Sequence, residues 1–273
     1  MTHNRKLQIY RSIFASDHMV KMKNIYKSLI ILCLSILTSA TFAQNKMQTL
    51  GHLVNTRDPA WPLVQKWIAS AKNKVEVLPV DSAKAQVALF DMQVSTYSTL
   101  GSIIYNTGGI MVDNGWLRIL GSGSTRLNRS VPAWNKGKTM QEYGDKPDYL
   151  LVADDAAGGF FAINYGAFGS DLKNIYYLAP NSLNWEPLNA GYGEFILFCF
   201  DSDLSKFYEG LRWTSWDQFI GNLDGSKSYS FRPYLWSEEG KDINKATRKL
   251  VPTSDLYKFN IVKQKELQAA VKP

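Results

Sequence analysis

The fold is decided by residues 150–200, which read LLVADDAAGGFFAINYGAFGSDLKNIYYLAPNSLNWEPLNAGYGEFILFCF. The apolar runs here are short, rich in β-branched and aromatic residues, and bounded by Gly, Asp and Asn, which is typical of strands joined by tight turns. Gly158 and Gly159, which precede two Phe residues, indicate a turn or a close backbone approach. The pattern predicts an amphipathic helix from about Gly193, preceded by strands at 150–153, 160–164, 174–178 and 184–187.

The flanking sequence adds helices on both sides and more strands upstream. Asp81 is a candidate N-cap for a short helix at 82–90, with Val87 and Phe90 facing inward. Residues 94–120 are predicted as strands, the first two at 96–100 and 102–105. Further helices are predicted at 59–72, 204–211, 213–220 and 255–270. The predicted fold class is α+β, a mostly antiparallel sheet with helices packed against it in a single domain.

A secretory signal peptide is predicted at 22–43. Met22 is followed by two lysines, an apolar core at 28–37 and a run of small residues. Cleavage is expected after Ala43, with Ala40 as the second choice. The apolar core is too short to span a bilayer comfortably, so an uncleaved anchor is the weaker alternative.

Cleavage would leave residues 44–273 as a single α+β domain with its core at about 47–256. Residues 1–21 read as an over-extended start. The true start stays open between Met1, Met19 and Met22. We therefore expect a periplasmic or secreted protein without a stable membrane span after cleavage.

The charge balance argues against a nucleic-acid partner. The whole chain has 31 basic and 24 acidic residues, a formal net charge of +7. Six of the basic residues and one of the acidic residues lie before Gln44, which leaves 25 basic against 23 acidic residues. The high isoelectric point therefore belongs largely to the leader, and the exported part has a surface of mixed sign.

Cysteine and histidine usage restricts the chemistry further. Cys33 lies in the signal core, so Cys199 is the cysteine that remains, in an apolar run typical of a buried residue rather than a thiolate nucleophile. His52 is the histidine that remains, which excludes multi-histidine zinc sites and weakens any catalytic triad. We predict no catalytic residues, no metal and no cofactor.

The Gly-Ser-Gly-Ser run at 121–124 follows a predicted strand and precedes Arg126 and Arg129. Backbone amides in such a run can cradle an anion, and Gly121 and Ser122 are candidate binding residues for that reason. The run has neither the P-loop nor the dinucleotide-binding spacing. An ordinary flexible turn is the alternative.

Carboxylates at the end of a predicted strand are the other chemical candidates. Asp154 and Asp155, with Glu194 or Asp113, offer the paired acids that glycoside hydrolysis or a metal ion requires. Short carboxylates at strand ends also cap turns by accepting backbone amides. No Asp-x-Asp-x-Asp spacing decides between these alternatives.

The chain is rich in tryptophan, with eight residues. Such aromatics either fill the core or form a surface that binds sugars or proteins. Trp134 is predicted to be exposed, because Pro132, Lys136 and Lys138 surround it. The other tryptophans considered are Trp116, Trp185, Trp213, Trp216 and Trp236.

Four runs resemble an uncharacterised bacterial family, the domain of unknown function 2625. They are GGIMVDNGWLRILGSGS, LLVADDAAGGFFAIN, IYYLAPNSLNWEPL and GYGEFILF. The resemblance covers about residues 47–256, which is almost all of the expected exported chain.

A more distant similarity is to the SUKH superfamily, which includes the yeast Smi/Knr cell-wall regulator and bacterial immunity proteins that neutralise toxins. It rests on Gly158, Gly159, residues 160–163, Tyr176, Tyr177 and the helix start at 194–196. This resemblance implies a SUKH-like α+β fold that works by binding a protein partner without catalysis.

We therefore expect a non-enzymatic, exported protein-binding module with a preformed cleft near the 154–159 turn and the 113–116 hairpin. The expected binding residues are Asp113, Trp116, Arg118, Gly121, Ser122, Asp154, Asp155, Gly158, Gly159 and Asn164. The alternative is a carbohydrate-binding or carbohydrate-active envelope protein that uses Glu194 with Asp154 or Asp155. The identity of the protein partner and the oligomeric state stay open.

Overall fold

The computed structural model describes residues 47–271. Seven strands form one sheet, in which each strand pairs antiparallel with the next along the chain. They are β1 Val75–Val77, β2 Gly109–Val112, β3 Leu117–Leu120, β4 Tyr149–Asp155, β5 Phe160–Asn164, β6 Asn174–Leu178 and β7 Trp185–Gly191. A separate hairpin pairs β8 Lys227–Arg232 with β9 Thr247–Pro252.

Nine α-helices accompany the strands in this described part of the chain. They are α1 Leu50–Leu53, α2 Trp61–Ser70, α3 Ser82–Met92, α4 Thr99–Asn106, α5 Val131–Asn135, α6 Tyr192–Asp201, α7 Leu204–Phe207, α8 Asp217–Ile220 and α9 Thr253–Val271. The predicted α+β class with its antiparallel sheet is confirmed. No helix within residues 47–271 has both the length and the apolar character needed to cross a bilayer.

The central strands are buried on both faces because two layers cover the sheet. Successive side chains of a strand point to opposite faces. In β5, Phe160 lies 5.0 Å from Tyr257 of α9 between ring centroids, whereas Phe161 lies 5.0 Å from Phe195 of α6. One face therefore packs against α9 and the hairpin, and the other packs against α6, which contacts α2 and α4.

The four strands and the helix predicted within residues 150–200 are all present, as β4 to β7 and α6. The strands predicted at 96–105 are wrong, because most of this segment is helix α4. Ser98 caps that helix by accepting the amide of Gly101 at 3.1 Å. The buried Leu100, Ile103 and Ile104 have the i, i+3, i+4 spacing of one helix face.

Helix α3 begins after Asp81, whose carboxylate accepts two backbone amides as predicted. The predicted inward face is wrong. Val87 is 59% exposed and Phe90 is 37% exposed, whereas Ala88 and Leu89 are buried. The buried face of α3 consists of Ala85, Ala88 and Leu89, and the helix packs against α1, α4 and α5, which leaves Val87 at the surface.

Candidate functional site

A buried ion-pair cluster joins strands β3 and β4 to the loop before α5. Arg118 and Asp154 are cross-strand partners, and both side chains are fully buried. The guanidinium of Arg118 lies 2.5 Å from one carboxylate oxygen of Asp154, and that of Arg129 lies 2.5 Å from the other oxygen. Two cations therefore share one carboxylate in the protein interior.

Both arginines also donate to residues 225–228, at the start of the β8–β9 hairpin. Arg129 donates to the carbonyl of Gly225 at 2.6 Å, and Arg118 donates to the carbonyl of Lys227 at 2.5 Å and to Ser228 Oγ at 2.7 Å. Burial lowers the pKa of Arg118, and the neighbouring carboxylate opposes that shift. The cluster attaches the hairpin to the sheet and keeps these charges away from solvent.

Asp155 is buried on the opposite face of the sheet from Asp154. Its Oδ1 accepts the amides of Ala157 and Gly159, both at 2.9 Å, and its Oδ2 accepts the hydroxyl of Tyr177 at 2.7 Å. Burial raises the pKa of Asp155, and the hydrogen bonds from Gly159 and Tyr177 oppose that shift. This carboxylate organises the turn between β4 and β5.

The turn itself requires both of its glycines. A Cβ on Gly159 would lie 2.2 Å from Asp155 Oδ2 and 2.3 Å from Tyr177 Oη. Gly158 has a φ of +88°, and a Cβ there would lie 2.5 Å from a methyl group of Leu256. The turn predicted at this glycine pair is confirmed, and the nearest atoms that a Cβ would meet there belong to side chains.

The 154–159 turn and the 113–116 hairpin, near which a cleft is expected, are in direct contact. The amide of Ala156 donates to the carbonyl of Trp116 at 2.8 Å, and the carbonyl of Ala156 accepts the amide of Tyr229 at 2.8 Å. Because strand β8 also lies against the turn, no open cleft separates these two segments. Binding of a partner by residues of the turn and of the hairpin stays a prediction.

Trp116 is fully buried beneath the segment that follows α6. Its ring centroid lies 5.0–5.6 Å from those of Tyr208, Trp213 and Trp216. Asp113 pairs with Arg212 at 2.5 Å, and the Arg212 guanidinium lies 4.1 Å from the ring centroid of Trp216. These two predicted residues therefore anchor the 208–216 segment to the 113–116 hairpin.

Asn164 is buried at the end of β5, apart from the other predicted residues. Its Oδ1 accepts the amides of Gly166 at 2.9 Å and Phe168 at 3.1 Å, and its Nδ2 donates to the carbonyl of Gly169 and to Asp171 Oδ1, both at 3.1 Å. These hydrogen bonds fold the loop between β5 and β6.

The Gly-Ser-Gly-Ser run is an ordinary turn rather than an anion nest. The amides of Ser122, Gly123 and Ser124 donate to protein carbonyls at 2.8–3.1 Å. Arg126 pairs with Glu76, and Arg129 pairs with Asp154. The donors that an anion cradle would use therefore already have protein acceptors, which favours the alternative of an ordinary turn.

Trp134 is also placed differently from the prediction. It is 4% exposed, with the Arg129 guanidinium 4.4 Å and the Lys138 ammonium 4.2 Å from its ring centroid. The charged neighbours thus cover the indole instead of accompanying it into solvent. Burial is also the first cause of the lowered pKa of Lys138.

The carboxylates proposed for sugar chemistry do not assemble. Asp154 and Asp155 are buried on opposite faces of the sheet, and Glu194 Oε2 accepts the amide of Gly191 at 2.8 Å as a helix cap. Glycoside hydrolysis requires two carboxyl groups that face one cleft. Among the residues that the structure describes, no group of three or more His, Cys, Asp or Glu side chains could hold a metal ion.

An open groove of about 740 Å³, here called the α3 groove, lies between helix α3 and residues 122–143. Its helix wall is formed by Ala83, Lys84, Val87, Ala88 and Asp91. The facing wall is rich in hydroxyl and amide groups, from Ser122, Ser124, Thr125, Asn128 and Ser130. Gly123, Pro132, Ala133 and Tyr143 complete the lining.

The groove has a charge at each end of its helix wall. Lys84 lies in the first turn of α3, and Asp91 lies in the last turn, where the carbonyl of Asp91 accepts the amide of Gly144. Burial raises the pKa of the Asp91 carboxyl, and Lys136 opposes that shift. Lys136 is itself paired with Glu142 at 2.8 Å.

Ser122 is the predicted binding residue that lines this groove; the other lining residues were not predicted. The sequence signal that could have identified the groove is Val87, an apolar residue of α3 that lies outside the buried face of the helix. A second groove, of about 680 Å³, lies between residues 182–184 and residues 264–269 of α9.

Comparison with known proteins places the chain in a family. Residues 50–256 match the family described as protein of unknown function DUF2625. The chain belongs to this family. An uncharacterized protein of Haemophilus influenzae is 40% identical over 224 residues, which cover 82% of this chain and 98% of the relative. The uncharacterized protein YbfG of Escherichia coli K12 is 40% identical over 220 residues, which cover 78% of this chain and 95% of the relative.

The DUF2625 match separates the two grooves. It includes the whole α3 groove and all ten predicted binding residues. The α9 wall of the second groove, residues 264–269, lies beyond the matched region. The α3 groove is therefore the candidate functional site.

Proposed function

We propose that this protein is a non-enzymatic, exported binding module that holds an extended segment of a partner protein in the α3 groove. The observation that supports this proposal is a difference in solvent exposure among the described residues. The ionisable groups that could react, Arg118, Asp154 and Asp155, are fully buried and paired, whereas the groove is open and its wall residue Val87 is 59% exposed.

The dimensions of the helix wall suit a short peptide segment. The five lining residues of α3 share one face of the helix, and the last of them, Asp91, lies eight residues after the first, Ala83. At 1.5 Å per residue, this wall is about 12 Å long, which corresponds to three or four residues of extended chain. A loop or terminus of a partner protein meets this requirement.

The two walls offer different interactions to such a segment. Ala83, Val87 and Ala88 can bury small apolar side chains. The hydroxyls of Ser124 and Thr125 face them and can hydrogen-bond the peptide backbone. The combination resembles the general mode in which backbone hydrogen bonds supply affinity and side-chain pockets supply specificity.

The charged ends of the wall set the orientation. Asp91 favours a basic residue of the partner, and Lys84 favours an acidic one. Charge reversal at Asp91 should therefore reject the natural partner while the groove keeps its shape.

Export and a role in immunity or regulation are part of the proposal. The signal predicted at 22–43 lies outside the described residues and supports a periplasmic or secreted location. The distant SUKH resemblance supports binding of a protein partner, because that superfamily includes a cell-wall regulator and immunity proteins that bind and neutralise toxins.

The test is a crosslinking pull-down from the periplasm of the host, with tagged protein beginning at Gln44. Val87→Asp places a charge on the apolar wall, and Gln86→Asp places the same charge on an exposed neighbour that does not line the groove. We expect one stoichiometric partner with the parent and Gln86→Asp, and a loss of roughly tenfold or more with Val87→Asp.

Three outcomes would contradict the proposal. One is equal recovery of the partner with both variants when their unfolding midpoints match. Another is the absence of any partner. A third is retention on peptidoglycan or polysaccharide instead, which would favour the carbohydrate-binding alternative and require a site other than the Asp154, Asp155 and Glu194 set.

A further inference from the structure

Strand β9 leaves its outer edge unpaired within the described residues. In the antiparallel hairpin, the amide of Thr253 donates to the carbonyl of Ser226. This pair and every second pair after it are therefore hydrogen-bonded across the hairpin. Residues in the intervening pairs direct their backbone groups outward. The outward residues of β9 are therefore Arg248 and Leu250, the partners of Phe231 and Tyr229.

The same alternation of inward and outward backbone groups is seen in strand β8. Tyr229 is the partner of Leu250, and its amide donates outward to the carbonyl of Ala156 at 2.8 Å. The corresponding amides of Arg248 and Leu250 have no backbone carbonyl partner among residues 47–271. Thr247 to Leu250 are all exposed, and Leu250 is 41% exposed.

The other sheet edges carry features that prevent strand addition. β1 has three residues. β7 contains Pro187, and Asn189 within it has a φ of +52°. Proline and local irregularity are common protections of an edge strand. β9 is six residues long and has its proline at the last position.

The positive charge of this edge favours an acidic binding partner. Arg248 and Lys249 make no ion pair within the described residues, whereas the acids of the preceding loop, Glu238 and Asp242, are paired with Lys241 and Lys245. Two copies of β9 side by side would place like charges together, which disfavours self-association.

We infer that the outer edge of β9 receives an extended acidic segment of another protein as a third, antiparallel strand. Side chains at Arg248 and Leu250 share one face of β9, and Lys249 points to the other. The segment that fits presents, from its N terminus, an apolar residue opposite Leu250 and then acidic residues opposite Lys249 and Arg248. This surface is separate from the α3 groove and does not depend on the function proposed for it.

The test is amide hydrogen exchange of the whole exported chain by NMR, with the capped hexapeptide Thr-Val-Glu-Glu-Val-Thr and its analogue with two lysines as probes. The acidic peptide should slow exchange at Arg248 and Leu250 by roughly tenfold or more. Exchange at Thr247 and Lys249, whose amides face β8, should stay unchanged. Lys249→Glu should weaken the acidic peptide and Lys265→Glu should not.

The inference would be overturned by slow exchange at Arg248 and Leu250 in the free protein, because the edge would then already be covered. Equal binding of the lysine peptide, or no change with millimolar acidic peptide, would also overturn it. So would protection that grows with protein concentration alone, since that result identifies a second copy as the occupant.

Discussion

Asp154 is the residue on which the buried charges of the interior converge. It contacts two guanidinium groups whose other donors reach the backbone of the β8–β9 hairpin. Removal of one partner of a buried ion pair is costly, because the remaining charges stay desolvated without compensation. We therefore assign Asp154 a role in stabilising the fold and no role in a reaction.

Asp154→Asn should destabilise the protein by about 3–5 kcal/mol. Urea unfolding followed by tryptophan fluorescence measures this. Asp58→Asn, at an exposed carboxylate, is the matched control and should change the free energy of unfolding by less than about 0.5 kcal/mol. A loss below about 1 kcal/mol for Asp154→Asn would contradict the assigned role.

Asp155 should give stability an unusual pH dependence. Burial raises the pKa of this carboxyl in the folded protein above its usual value of 3.8. A group with a raised folded pKa stabilises the fold fully below its unfolded pKa and loses that contribution as pH rises through the folded pKa. The stability of the parent relative to Asp155→Asn should therefore fall as pH rises above about 4. Denaturant unfolding of both proteins from pH 3.5 to 8 checks this. A free energy of unfolding of the parent that rises with pH relative to that of Asp155→Asn would contradict the prediction.

At the scale of elements, the β4–β5 turn depends on the absence of a side chain at Gly159. Gly159→Ala should separate Asp155 from Tyr177 and destabilise the fold by about 3 kcal/mol, the upper part of the range for overpacking. Gly51→Ala is the control, because a Cβ at Gly51 meets nothing within 4 Å. Thermal unfolding of both variants tests this, and similar midpoints would show that the turn rearranges freely.

Helix α4 permits a simple test of its identity. Ser98 accepts the amide of Gly101 as the N-cap, so Ser98→Ala should cost about 1 kcal/mol. Ser98→Asp should preserve the cap and recover most of the loss. If the segment were strands, both substitutions at this position would have similar small effects on the free energy of unfolding.

Over the whole molecule, sequence patterns predicted strands β4 to β7 and the longer helices α2, α3, α6 and α9, but they failed at helix α4. Strands β4, β5 and β6 were predictable because each is a short apolar run bounded by Gly, Asp or Asn. Helix α4 was not, since Leu100, Ile103 and Ile104 also fit two short strands. Its helical form is stabilised by tertiary packing against α2, α3 and α6.

Of the residues that line the α3 groove, Ser122 was predicted to bind, and most of the other predicted binding residues lie in the interior. Asp154 and Asp155 were correctly placed at a strand end, but adjacent residues of a strand face opposite sides, which separates the two carboxylates. The α3 groove joins residues 83–91 to residues 122–143 through tertiary packing. Sequence periodicity reports one element at a time and does not contain that contact.

The most direct test of the central claim places a photo-reactive benzoylphenylalanine at position 87 or position 86 of α3 in the native host. Position 87 lines the groove, and position 86 lies next to it on the exposed surface. We predict a single protein adduct at position 87, mapped to one short segment of the partner, and none at position 86. The same adducts at both positions, or none at position 87, would contradict a binding role for the groove.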